Sequence, residues 1–211
     1  MIRLFNCGRP FTAAFALMAV FSLFLSAQTG CSKREKTPEE KAQEEAANLQ
    51  AALGHFNKGN DLLAAKDYDG AITEYVESVK LNPSNPAAQS NLGFAYLDKF
   101  NAAKDKKDPG LIDKSLEHQK KATGLNPDMA AAYYGIAMAL ERKGDVYGAL
   151  ETWRQFLKLS TGKGGTPSDA QWSDSAKKHI KAIEEFIKKR EKEGKKAHPQ
   201  QKQPPSNHKK Q

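Results

Sequence analysis

Residues able to do chemistry are thinly spread along this chain of 211 residues. The five histidines, His55, His118, His179, His198 and His208, show no metal-ligand spacing with one another, and the two cysteines, Cys7 and Cys31, form no close pair to complete a zinc site. No glycine loop runs into a lysine to cradle phosphate, and no Gly-x-Ser-x-Gly turn raises a serine nucleophile. The glycines within residues 162–165 read as a flexible connection. Carboxylates such as Glu184 and Glu185 fall on the polar face of a helical pattern, where solvation rather than acid–base work is expected. The sequence therefore predicts no catalytic residue, no metal site, no cofactor and no small-molecule substrate. Function must then reside in surface shape.

Charge does not point to nucleic acid either. The formal net charge is +8, but residues 188–211 alone hold nine lysines or arginines against two glutamates. Arg3 and Arg9 add positive charge at the other end, so the middle of the chain is close to neutral and offers no basic face. Neither end has the apolar content of a packed core, which leaves one modest domain between them. Residues 191–211, rich in Lys, Gln and Pro, are expected to form a disordered basic tail.

The amino terminus, residues 1–30, has the three parts of an export signal: basic Arg3 and Arg9, an apolar run over residues 11–25, then small and polar residues up to Cys31. The run falls short of the roughly 20 apolar residues that cross a bilayer. Leu25, Ser26, Ala27, Gln28, Thr29, Gly30, Cys31 and Ser32 then resemble the processing site of bacterial lipoproteins, where a cysteine after a small residue is acylated and becomes the new amino terminus. Gln28 stands where that family prefers an apolar residue. Loss of the leader would leave Cys31 without an internal disulfide partner. The resemblance implies export and lipid anchoring through Cys31, with Ser32 favouring the outer membrane by the family's sorting rule and residues 31–37 as a linker. Cleavage after Ala27, an uncleaved anchor, a soluble periplasmic form and an inner-membrane anchor are the alternatives.

Internal repetition is the strongest signal. Gly59, Gly93 and Ala137 stand 34 and 44 residues apart, whereas Ala71, Ser115 and Ala149 stand 44 and 34 apart. One unit thus recurs three times, with a ten-residue insertion between Gly93 and Ser115. Tyr68, Ile112 and Val146 keep the register, as do Leu81, Leu125 and Leu159. Apolar residues recur at helical spacing, as at Ile72, Tyr75, Val76 and Val79. Small residues let paired helices approach closely, and Asn82-Pro83 and Asn126-Pro127 stop the second helix of a unit. A lone hairpin cannot bury both its faces, so stacked neighbours must supply the core.

These residues carry a resemblance. Asn91, Leu92, Gly93, Phe94, Ala95 and Tyr96, then Ala122, Leu125, Asn126 and Pro127 in the second unit are similar to the tetratricopeptide repeat family, as are Gly59, Ala71, Tyr75 and Lys80-Leu81-Asn82-Pro83 in the first and Ala137, Ala149 and Trp153 in the third. His55, Gln89 and Tyr133 replace the family's first-helix tryptophan, Gln119 replaces a large apolar residue, and Thr161 replaces the closing proline. The resemblance implies an all-α, TPR-like α-solenoid of three helix hairpins, an array over residues 38–163 with repeats at about 52–85, 86–129 and 130–163. The insertion near 98–110 is expected to be a solvated loop rather than a contact arm, with extension of the preceding helix through Leu97, Phe100 and Ala103 as an alternative. Residues 168–190 place Trp172, Ala176, Ile180, Ile183 and Ile187 on one face and read as a C-terminal capping helix. Thr37-Pro38-Glu39-Glu40 reads as the capped start of a helix that enters the first repeat.

In that family the first helix of each pair lines a concave groove that takes an extended peptide or a partner helix. Carried onto this sequence, the groove columns are Phe56, Asn60, Ser90, Asn91, Phe94, Tyr134, Met138 and Arg142. Asn60 and Asn91 match the carboxylate clamp of chaperone-binding members, but Phe56, Ala131 and Gly135 occupy the columns where that clamp needs cations. The resemblance therefore implies a non-enzymatic adaptor or scaffold of the cell envelope whose partner is another envelope protein, similar to repeat lipoproteins that assist assembly of pili, secretion machines or outer-membrane proteins. The alternative is an accessory protein that binds cell-wall or surface polymer through the basic tail.

Overall fold

The computed structural model describes residues 35–105, 107–162 and 167–197, and every regular element among them is an α-helix. The export-signal segment, Cys31 and residues 198–211 lie outside the described residues. Contacts divide the chain into two units, Met1–Lys41 and Ala42–Gln211. The described part of the first unit opens helix α1 (Pro38–Ala64). Thr37 N–H donates to Glu40 Oε2 at 2.8 Å and Glu40 N–H donates to Thr37 Oγ1 at 3.2 Å, so each side chain satisfies a backbone amide of the helix start.

In the second unit the rest of α1 is followed by α2 (Tyr68–Leu81), α3 (Pro86–Ala102), α4 (Gly110–Leu125), α5 (Ala130–Lys143), α6 (Val146–Ser160) and α7 (Pro167–Ala197). The caps explain these boundaries. Asp67 and Asp145 hold equivalent places in repeats one and three and accept from Gly70 N–H at 3.0 Å and Gly148 N–H at 2.9 Å. The residue before each is left-handed, Lys66 at φ 62 and Gly144 at φ 82, a conformation that glycine adopts freely and lysine does not. Asn85 caps α3 by accepting from the amides of Ala87 and Ala88, with Pro86 in the first turn. Repeat two lacks the aspartate turn because the insertion displaces it; Asp108 instead accepts from Gly110 N–H at 2.8 Å.

From α2 to α7 each helix packs on the next, and α3 also touches α5, so the hairpins nest as neighbours. A single column organises the interior. Tyr75, Gln119 and Trp153, from the second helix of successive repeats, are all fully buried. Tyr75 and Gln119 lie against glycines of the first helix: a Cβ on Gly59 would sit 2.7 Å from the Tyr75 ring, and one on Gly93 would sit 2.8 Å from Gln119 Cγ. The close approach forces the small residue. In repeat three, Ala137, Trp153 and Phe156 form a core with Ala176 and Ile183 of α7, and Trp172 packs on it.

Two boundaries differ from expectation. Helix α7 continues to Ala197, past residue 190, because its Lys- and Glu-rich end favours helix without needing a core. Helix α3 has 17 residues where α5 has 14, and its Leu97 and Phe100 pack with Leu111, Ile112, Leu116, Ile136 and Ala139. The start of the expected loop, through Ala102, is thus helix. No described helix is long and apolar enough to cross a membrane.

Candidate functional site

The face shared by α1, α3 and α5 is built around two amides. Asn91 Nδ2 donates to Asn60 Oδ1 at 2.8 Å, which joins the first helices of repeats one and two. The same oxygen accepts from the Tyr75 hydroxyl at 2.7 Å. Burial raises the Tyr75 pKa, opposed by the nearby Asn91 amide, so the phenol stays protonated and able to donate at neutral pH. Among the described residues, no hydrogen bond uses the Asn60 Nδ2 donor or the Asn91 Oδ1 acceptor. One donor beside one acceptor complements a peptide group. Phe56 is half-buried, its ring 6.0 Å from that of Tyr75.

Helix α3 extends this surface in a stripe. Asn91, Phe94, Asp98 and Asn101 recur at i, i+3, i+7 and i+10, which places them on one side of the helix. Both ends of the stripe are tied to neighbours, Asn91 to Asn60 on α1 and Asn101 Oδ1 to Arg142 on α5, whose Nε donates to it at 2.9 Å. The middle is open. Phe94 and Asp98 are half-buried, and Asp98 makes no hydrogen bond or ion pair among the described residues. Its carboxyl pKa is raised by desolvation alone. Neither Asp98 nor Asn101 was singled out from the sequence, although their spacing from Asn91 was visible there.

The other expected groove residues are placed differently. Tyr134 packs its ring against Trp153 at 4.9 Å, Trp172 at 5.0 Å and Phe156 at 5.4 Å, so α5, α6 and α7 all take part of it. Met138 packs against both the third-repeat core and the cluster around Leu97 and Ile136. Ser90 is buried, its hydroxyl donating to Gln119 Oε1 at 2.9 Å while Gln119 Nε2 donates to the Ser90 carbonyl at 3.1 Å. Arg142 is exposed. Gly135 cannot carry a cation: a Cβ there would fall 2.2 Å from Gln119 Nε2.

A second polar cluster lies under α7. Glu141 accepts from Trp153 Nε1 at 2.6 Å and pairs with His179 Nδ1 at 2.9 Å, while the His179 ring stacks on Trp153 at 4.9 Å. Glu141, His179, Val146, Ala182, Ile183 and Phe186 line a cavity of about 230 Å³. No group of three or more His, Cys, Asp or Glu among the described residues is arranged to hold a metal.

Residues 59–99, which include both asparagines, Tyr75 and Phe94, match the family described as TPR repeat. The array is a tetratricopeptide repeat fold. A tetratricopeptide relative, small glutamine-rich tetratricopeptide repeat-containing protein 2 of Mycosarcoma maydis, is 27% identical over 124 residues, 56% of this chain and 32% of its own length. The chain spans about a third or less of the length of this and two further curated relatives. Among solved structures, the Sgt2 TPR domain from Aspergillus fumigatus superposes with a TM-score of 0.54 at 22% identity, covering 86% of this chain and 95% of that domain. The first TPR of Spaghetti (RPAP3) bound to the HSP90 peptide SRMEEVD gives 0.53 at 20% identity, covering 66% and 94%. At these identities the two structures establish the all-α tetratricopeptide solenoid.

Proposed function

We propose that this chain is a non-enzymatic adaptor that captures an extended or helical segment of a partner protein on the α1, α3 and α5 face, and that it does so in a bacterial cell envelope, anchored by a lipid on Cys31. The observation that carries the first part is the Asn60–Asn91 link with half-buried Phe94 beside it. It presents a spare donor, a spare acceptor and an aromatic ring at the boundary of two repeats, a combination that suits a peptide backbone and an apolar side chain. A tetratricopeptide neighbour bound to the HSP90 peptide SRMEEVD supports peptide capture as the mode. Peptides ending in the same acids do not suit this face, because Phe56, Ala131 and Gly135 supply no cation and Gly135 is closed by Gln119.

Envelope placement rests on the amino-terminal sequence: Arg3 and Arg9, the apolar run at 11–25 and the Gly30-Cys31 step. Mass spectrometry of the mature amino terminus is the test of that part. A diacylglycerol-modified Cys31 is expected, and an unmodified chain beginning before Cys31 would exclude the anchor. For partner capture, Phe94→Ala and Asn91→Ala are expected to weaken binding about tenfold each in pull-downs from solubilised envelopes, with helical circular dichroism unchanged. Full capture by the double variant would remove this face from consideration.

A further inference from the structure

The α3 stripe has a chemistry of its own that narrows the partner, on the footing that the proposed capture face is the right one. Asp98 is a half-buried carboxylate between an aromatic ring one turn before it and an amide one turn after it. A carboxylate in that position ordinarily finds a cation from its own chain. The basic residues in the last turns of α3 and α5 are each engaged elsewhere. Lys99 pairs with Asp69 of α2, Arg142 donates its Nε to Asn101, and Lys143 pairs with Asp113 of α4 at 2.7 Å. Among the described residues Asp98 has no hydrogen bond or ion pair, while Asn101 takes up the Nε of Arg142. Asn101 belongs to the turn by which α3 outruns α5, 17 residues against 14, so the lengthened helix itself supplies the group that keeps Arg142 occupied.

Charge complementarity then selects the occupant. An acidic segment would meet an unneutralised carboxylate at Asp98 and no cation at Phe56, Ala131 or Gly135. A lysine or arginine brought by a partner would restore to Asp98 the charge partner that burial makes valuable. We infer that this face takes a protein segment that lays an apolar side chain on Phe94 and, one helical turn along, sets a lysine or arginine on Asp98, with its backbone held by Asn60 and Asn91. The unused NH groups of Arg142, beyond Asn101, suit a carbonyl or acid at the far end of the segment.

A random linear peptide library displayed on phage, panned on the full chain and in parallel on Asp98→Asn and Phe94→Ala, tests this. Wild-type chain is expected to enrich peptides with Lys or Arg close to a bulky apolar residue. Asp98→Asn should lose the basic preference while keeping the apolar one, and should bind a selected basic peptide about tenfold more weakly by fluorescence anisotropy. Phe94→Ala should lose both. Burial disfavours the charged form of Asp98, so the neutral isostere leaves the thermal midpoint unchanged or higher, and weaker binding cannot then be ascribed to unfolding. Enrichment of Phe94-dependent peptides without basic residues, or of basic peptides that bind Asp98→Asn equally well, would overturn the inference and leave the capture face standing. Absence of any Phe94-dependent peptide would overturn both.

Discussion

Ser115 holds the place that Ala71 and Ala149 hold in the other repeats, and its hydroxyl is buried with no hydrogen-bond partner among the described residues. Ser115→Ala is therefore expected to stabilise the protein by about 1 kcal/mol, read as a higher denaturant midpoint at unchanged m-value. Among the described residues no other buried side-chain polar atom lacks a partner. Tyr75 reaches Asn60, Gln119 reaches Ser90 twice, and Trp153 reaches Glu141, so each large residue of the central column keeps a partner for its polar tip. The 34- and 44-residue steps made this column legible, since Gly59, Gly93 and Ala137 announce the small side of it. The tips were not legible, because hydrogen-bond partners from other helices depend on distances of a few ångströms that spacing does not encode.

At the scale of elements, Gln119 explains why a polar residue occupies a column that the tetratricopeptide pattern fills with a large apolar one. Its flat amide fits between Gly93 of its own repeat and Gly135 of the next, where a Cβ would stand 2.8 Å and 2.2 Å from it. Gly135→Ala is expected to cost about 2 kcal/mol by pushing Gln119 off Ser90, and Gln119→Ala about the same by leaving a void and a buried Ser90 hydroxyl without its acceptor. The double variant should cost less than the sum, because the new methyl enters the vacated space; denaturation of all four proteins in a mutant cycle measures the coupling. Strict additivity would mean that the two residues do not share the space. The sequence places an insertion between Gly93 and Ser115 and offers Leu97, Phe100 and Ala103 as an extension of the preceding helix; in the longer α3, Leu97 and Phe100 pack with Ile112, Leu116 and Ile136. Those contacts are long-range, so spacing along the chain suggests the extension but not its partners.

The whole molecule is a short array whose end needs closing. Trp153 and Phe156 are fully buried in a core that Ala176 and Ile183 of α7 join, with Trp172 on Tyr134. Truncation after Gly162 is expected to expose this aromatic cluster, with loss of cooperative thermal unfolding by circular dichroism and self-association in size-exclusion chromatography. A truncated chain that melts as one monomeric transition would show that the hairpins close themselves. The same contact decides how much of the first-helix face remains for a partner: α7 packs on α5 and α6, so Tyr134 serves helix packing while Asn91, Phe94 and Asp98 on α3 are left outside its reach.

By itself the sequence determined the helical period, the number of repeats, the positions of the small residues and the cap at Thr37, since all of these are local or periodic consequences of side-chain size and backbone propensity. It did not determine which residues of the first helices stay open. That was decided by tertiary structure: Tyr134 and Phe94 look alike along the chain and are both half-buried, but Trp172 of a distant helix packs on Tyr134. Asp98 is the sharpest case: that it makes no hydrogen bond or ion pair among the described residues, while Lys99 pairs with Asp69 and Arg142 with Asn101, is invisible within any one helix.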